Sequence, residues 1–234
     1  MDSLIKVTNT AFGYDGKTVV SNLCFSVNRG DYLCIVGENG SGKSTLIKGL
    51  LRLVKPQSGT IEFGEVAPTE MGYLPQQTQT QKDFPASVFE VVLSGRLSKQ
   101  GFRPFYSKAD KEIANENIER LGIKNIKSKC YHELSGGQQQ RALLARSLCS
   151  ADKVLCLDEP AAGLDPLVSK ELYSLVDKIN SETGIAVVMV SHDIESAVAY
   201  ASHILHLKNE QMFFGTTSDY INSEIGRKFM RRAV

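Results

Sequence analysis

The most constraining feature of the chain is a strand–loop–helix signal near its start. Tyr32–Val36 is short and almost purely apolar, the pattern of a strand buried on both faces. It runs straight into GENGSGKST, and a helix pattern follows from about Lys43 to Leu53. Residues Gly37 to Ser44 fit G-x-x-x-x-G-K-[ST] at every fixed position. Each residue type has a physical reason. Glycines at 37, 40 and 42 let backbone N–H groups wrap closely around phosphate oxygens. Lys43 supplies a point charge for the β- and γ-phosphates of a nucleotide, and the Ser44 hydroxyl is a ligand for Mg²⁺. The following helix adds the positive end of its dipole.

A phosphate loop alone does not name a reaction. Val154–Leu157 is a second buried strand, and it ends in Asp158 and Glu159. Asp158 sits where a carboxylate holds Mg²⁺ through its water shell. Glu159, next along, points to the other side and is placed to polarise an attacking water, with Pro160 turning the chain away.

The rest of the chain supplies the frame. Leu4–Phe12 and Val19–Val27 alternate like antiparallel strands around a turn at Tyr14–Lys17. Short strands are expected near Thr60–Phe63 and Met71–Leu74. Ser87 and Glu90 have capping-box spacing before the apolar helical face Val88–Leu93, and Ser107–Leu121 reads as an amphipathic helix stopped by Gly122. Little strand pattern occurs between Ala86 and Leu134. Alternation then resumes: helix Leu167–Thr183, strand Ile185–Val190, helix Asp193–Ala201, and strands at His203–Leu207 and Gln211–Phe214. Strands alternating with helices imply an α/β fold with a largely parallel sheet covered on both faces.

At Leu134–Gln138 the string LSGGQ appears between the helical stretch and the strand ending in Asp158 and Glu159. Ser135 and Gln138 again have capping-box spacing, so a helix starts here, and Gly136 and Gly137 leave its first N–H groups open to a close ligand. One chain then carries two phosphate-facing surfaces. With these motifs in this order, the sequence resembles the nucleotide-binding subunits of ABC transporters, from Tyr14 to the end. The resemblance implies an α/β P-loop NTPase fold of the ABC-ATPase type. It implies one domain over residues 1–234, with a RecA-like core and antiparallel β region at 1–85 and 150–234 and a helical part at 86–149 carrying LSGGQ.

The same resemblance implies ATP and Mg²⁺ as ligands. The expected ATP contacts are Tyr14, stacking on adenine, and Gly37, Asn39, Gly40, Ser41, Gly42, Lys43, Ser44 and Thr45. The expected Mg²⁺ ligands are Ser44, Gln76 and Asp158, with Gln76 in GYLPQQ as the loop glutamine; the adjacent Gln77 is an alternative. Glu159, His192 and Gln76 are the expected catalytic set, and Asp165 is the acid of the loop crossing a dimer interface. Leu134, Ser135, Gly136, Gly137 and Gln138 would face the ATP held by Lys43 of a second copy in a head-to-tail homodimer. All catalytic positions match the family pattern.

Composition narrows the partners. The 234 residues carry 27 Lys+Arg and 26 Asp+Glu, a net charge of +1 that offers no global field for nucleic acid or anionic lipid. No apolar run approaches the roughly 20 residues that span a bilayer, and the polar, alternating start MDSLIKVTNT lacks a signal-peptide pattern. A transporter ATPase of this design implies polytopic permease subunits, a separate solute-binding protein and a peripheral position on the cytoplasmic face of the cell membrane. The docking surface is expected between Gln76 and about Leu97. The segment DFPASVFEVVLSGRL is similar to that of manganese-, zinc- and iron-chelate-type importers, which favours divalent metal import. Iron-siderophore or cobalamin import is the alternative, as is a soluble ABC ATPase of iron–sulfur assembly. The five cysteines, Cys24, Cys34, Cys130, Cys149 and Cys156, form no C-x-x-C pair and read as reduced, mostly buried thiols. His203 and His206 lie three apart in a strand, on opposite faces, and read as structural. The C-terminal RKFMRR reads as a solvated helix end.

Overall fold

The computed structural model describes residues 3–76 and 85–233. Strands β1 (Ile5–Tyr14) and β2 (Lys17–Val27) pair antiparallel around Asp15 and Gly16, whose φ values of 49° and 76° suit a tight hairpin turn. The apolar run becomes β3 (Tyr32–Val36), buried at every residue, and α1 (Lys43–Leu50) follows the glycine loop.

Helix α1 stops at Leu50, three residues before its sequence signal ends. Arg52 takes a left-handed conformation, φ 61°, and the Leu53 and Val54 N–H groups close back on the Lys48 carbonyl. A non-glycine residue tolerates this because its guanidinium is held twice. It donates to the Val66 carbonyl at 2.9 Å and lies 3.9 Å from the Phe63 ring centroid. Those partners sit on and beyond β4 (Ser58–Phe63), which pairs with the free edge of β1.

Strand β5 (Met71–Leu74) has its expected bounds. The next described elements are helical: α2 (Val88–Leu93), α3 (Leu97–Gln100), α4 (Lys108–Arg120) and α5 (Gly136–Leu148). Their starts follow the sequence. Ser87 accepts from the Glu90 N–H, Ser107 from Asp110 and Ser135 from Gln138, and each partner side chain reaches back to the cap N–H.

Asp110 is the polar anchor of this region. Its side chain is only 3% exposed and takes Arg96 at 3.0 Å and Arg103 at 3.3 Å. The Ser107 hydroxyl first, then its N–H and Arg96, hold the Asp110 carboxyl down to about 2 against the opposing effect of burial. Its stabilising effect is therefore full above the unfolded carboxyl range near pH 4 and lost as pH falls towards 2. Asp110→Asn is expected to lower unfolding free energy by about 2 kcal/mol at neutral pH, since Arg96 stays buried without its carboxylate. Urea titrations across pH check it: the gap between variant and wild type should close towards pH 2.

Alternation resumes with β6 (Val154–Asp158), α6 (Pro166–Thr183), β7 (Ala186–Val190), α7 (Ile194–Tyr200), β8 (His203–Leu207) and β9 (Gln211–Thr216), then α8 (Thr217–Asn222) and α9 (Glu224–Ala233). The main sheet has the order β5-β6-β7-β3-β8-β9, parallel throughout except for β9 against β8. A smaller antiparallel sheet, β2-β1-β4, packs over one face of it. Leu33 and Ile35 of β3 join α1 and this smaller sheet in one core layer, while Tyr32, Cys34 and Val36 join the helices in the other. Cys34, Cys149 and Cys156 are buried free thiols pushed up by desolvation, which leaves them unreactive. His203 and His206 do face opposite ways: His203 stacks on Phe214, and His206 is buried against Tyr220 and Phe229. The basic tail forms α9, which packs Ile225, Phe229 and Met230 on the core. Among the described residues no helix is long and apolar enough to cross a membrane.

Candidate nucleotide site

The glycine loop leaves the C-terminal end of β3, at the centre of the parallel sheet. Its first and third glycines are demanded by neighbours. A Cβ on Gly37 would sit 2.2 Å from the Leu207 carbonyl oxygen, and one on Gly42 would sit 2.6 Å from Val20 Cβ. Their φ values, 148° and 97°, also disfavour a side chain. Between them Asn39 and Gly40 are exposed and Ser41 is buried, and Thr45 is buried in the first turn of α1. The Ser41 hydroxyl is buried and has no hydrogen-bond partner among the described residues. Such an orphaned polar atom inside the loop fits a site built to receive a polar ligand.

Lys43 is 5% exposed and curls back over the loop, its Nζ donating to the Gly37 and Glu38 carbonyls at 2.8 and 2.9 Å. Burial lowers its pKa, opposed by the charges of Glu159 and Asp158 nearby. Tyr14, at the end of β1, is 45% exposed, an open ring face for stacking.

Strand β6 brings the acids to the same edge. Asp158 is buried and accepts from the Ser44 hydroxyl at 3.2 Å. Burial raises its pKa, opposed by that hydrogen bond. A pair of oxygen donors of this kind suits a hard divalent cation. Glu159 follows Asp158 out of the strand. It takes a left-handed conformation, φ 51°, and its N–H donates to the Val190 carbonyl at 3.1 Å, so the chain turns at Glu159 itself, before Pro160.

That turn places the Glu159 carboxylate between two expected partners. Gln76 Nε2 donates to Oε2 at 2.7 Å, and His192 Nε2 contacts Oε1. The Gln76 amide nitrogen thus faces Glu159, which leaves its carbonyl oxygen as the group suited to a cation. Gln77 lies outside the described residues. The structure therefore unites Gln76, Glu159 and His192, and puts Lys43, Ser44 and Asp158 beside them.

Sequence reading missed the support under His192. Tyr173 of α6 reaches the Ser191 hydroxyl at 3.0 Å, and that hydroxyl accepts from the Asp193 N–H at 3.0 Å. Tyr173 shows in sequence only as one apolar position of an amphipathic helix. Its partner lies 18 residues away, just past the end of β7, so no local signal marks the pair.

The Leu134–Gln138 segment is organised as its own spacing requires. Ser135 caps α5, Ser135 and Gly136 are exposed, and Leu134 is buried. A Cβ on Gly137 would lie 2.8 Å from Val168 Cγ1, so the helix start packs closely on the start of α6. Asp165 is exposed and caps α6, accepting from Leu167 and Val168 N–H groups at 3.1 Å each. The two loops therefore touch within one chain.

Comparison with known proteins agrees with this geometry. The ABC transporter family matches residues 20–162. The zinc uptake system ATP-binding protein ZurA of Listeria innocua is 34% identical over 227 residues, covering 94% of this chain and 88% of that protein. The manganese transport system ATP-binding protein MntB of Bacillus subtilis is 36% identical over 224 residues, covering 94% and 89%. Among solved structures, a metal-chelate type ABC transporter in an inward-facing conformation superposes with a TM-score of 0.87 at 30% identity, covering 98% of this chain and 90% of that one. Likeness of this reach, in both sequence and fold, means that the chain belongs to the ABC transporter family, among its ATPases.

Proposed function

We propose that the chain is the ATP-hydrolysing subunit of a membrane importer for divalent metal ions, zinc or manganese. The observation that carries this reading is the near full-length likeness to zinc-uptake and manganese-transport ATP-binding proteins. It is supported by the union of Glu159, Gln76 and His192 beside the phosphate loop.

In this reading the N–H groups of the loop and of the first turn of α1 hold the phosphates, with Gly37, Asn39, Gly40, Ser41, Gly42, Ser44 and Thr45 lining them. Lys43 leaves its loop carbonyls for the β- and γ-phosphates, and Tyr14 stacks on adenine. Ser44, Asp158 and the Gln76 carbonyl oxygen would hold Mg²⁺, which when bound neutralises charge on the phosphate oxygens. Glu159 takes the proton of the attacking water, His192 and Gln76 orient its carboxylate, and His192 also contacts the γ-phosphate. Two copies close head-to-tail over two ATP, each lending Leu134–Gln138 and its Asp165 loop to the other's nucleotide. Residues 86–149 act as a helical unit against the core formed by 1–85 and 150–234. The chain sits on the cytoplasmic face of the membrane, docked through the Gln76–Leu97 region to polytopic subunits served by a separate solute-binding protein. Residues 77–84 of that region lie outside the described ones.

A second reading, import of a metal chelate such as a ferric siderophore, is favoured by the metal-chelate type structure. Liposomes carrying the chain together with its membrane subunits decide between them. ATP-dependent uptake of zinc or manganese is expected, with no uptake of a ferric siderophore. Uptake of the siderophore alone would overturn the proposed cargo.

A further inference from the structure

The turn between β8 and β9 reaches into the phosphate loop through one residue. Asn209 has φ 60°, in the left-handed region. Its side-chain Nδ2 donates to the Gly40 carbonyl of the loop and to the Val19 carbonyl of β2, both at 3.2 Å. Its backbone N–H donates to the Ser41 carbonyl at 3.2 Å, and its own carbonyl accepts from the Ser21 N–H at 3.0 Å. Four hydrogen bonds at one position tie the phosphate loop to the smaller sheet.

These bonds set the direction of the loop's N–H groups. A trans peptide is planar, so its C=O and N–H point opposite ways. With the Ser41 carbonyl turned towards Asn209, the Gly42 N–H of the same peptide must point away from it. With the Gly40 carbonyl also held, the next N–H, that of Ser41, is aimed at the Glu38 carbonyl, which it meets at 3.2 Å. The loop from Glu38 to Gly42 is thus shaped before any phosphate arrives, which removes an ordering cost from binding.

The residue type fits this task. The site needs a left-handed backbone and two side-chain donors, and asparagine supplies both. Glycine would keep the backbone and lose the donors. Aspartate would keep the shape but set acceptor oxygens against two carbonyls. The side chains of the next two residues reach β2 and not the loop: Glu210 accepts from Asn22 at 3.0 Å, and the Gln211 amide pairs with the Cys24 N–H and carbonyl at 2.8 and 2.9 Å.

We infer that Asn209 is a positioning residue for nucleotide binding, acting through the Gly40 and Ser41 carbonyls to aim the phosphate-loop N–H groups. The inference rests on the reading of Gly37–Ser44 as the ATP phosphate site. Equilibrium titration of the full chain with a fluorescent ATP analogue, paired with steady-state hydrolysis, tests it. Asn209→Gly is expected to raise the Kd and KM about fivefold, the scale of one net hydrogen bond, with kcat at saturating ATP within about twofold. Asn209→Asp, which reverses the polarity, is expected to raise them about tenfold or more. Gln211→Ala loosens the same β2–β9 seam without touching the loop, so it should lower Tm but leave Kd within about twofold. An unchanged Kd in Asn209→Gly, or in Asn209→Asp should the glycine variant not fold, would overturn the inference. So would a Gln211→Ala shift as large as that of Asn209→Gly. Wild-type chain that binds no nucleotide at all would remove the phosphate-site reading itself, and this inference with it.

Discussion

Glu159→Gln should cut steady-state ATP hydrolysis by about 10² to 10⁴, the range for removing a general base, while ATP affinity stays within about threefold. The two effects separate because of how Glu159 is held. Its position depends on backbone: the left-handed turn after β6 and the N–H bond to the Val190 carbonyl. Its orientation depends on Gln76 and His192, and a glutamine side chain of the same shape can still accept from Gln76 and donate to a neutral His192. What the substitution removes is the ability to take a proton. Phosphate release and nucleotide titration on the same sample check both halves. On the proposed head-to-tail closure, size-exclusion chromatography with ATP should show the variant as a dimer, because closure would no longer lead to hydrolysis and reopening. Full turnover by Glu159→Gln would remove Glu159 as the base.

A left-handed non-glycine residue costs about 1–2 kcal/mol of backbone strain, and Glu159 carries it at the position proposed for the general base. That is a place where pattern reading is expected to fail. The sequence places the turn at Pro160. The structure turns one residue earlier, at the residue whose N–H makes the last bond to β7, an element that begins 27 residues further along and that no local pattern reveals. By contrast, β3, β6 and β5 are legible because runs such as Tyr32–Val36 and Val154–Leu157 have no stable place except a sheet interior. The helix starts at Ser87, Ser107 and Ser135 are legible because a capping box is entirely local. The end of α1 was not, since Arg52 is stabilised by Phe63 and Val66. The phosphate loop itself was plain in sequence. Its clamp at Asn209 was not, because the partners Val19 and Gly40 lie 190 and 169 residues away.

The same long-range logic gives the second large effect. Gly37→Ala is expected to destabilise the fold by about 3 kcal/mol or more, combining positive-φ backbone strain of about 1–3 kcal/mol with overpacking of about 1–3 kcal/mol. The added Cβ would stand 2.2 Å from the Leu207 carbonyl oxygen, a backbone atom that no rotamer change can move. Relief requires β3 and β8 to part, and these are adjacent strands near the centre of the main sheet, bonded in register from Leu33–His203 to Val36–His206. Moving Leu207 would also shift the turn that carries Asn209, so ATP binding should weaken together with stability. Gly40→Ala is the matched comparison. Its φ of 79° also strains a side chain, yet an added Cβ there meets nothing within 4 Å among the described residues. That variant should lose only about 1–2 kcal/mol. Denaturant midpoints and nucleotide titrations of the two variants side by side separate clash from strain. Equal losses would mean that the Leu207 contact does not constrain the phosphate loop, and that Gly37 is required for its backbone angles alone.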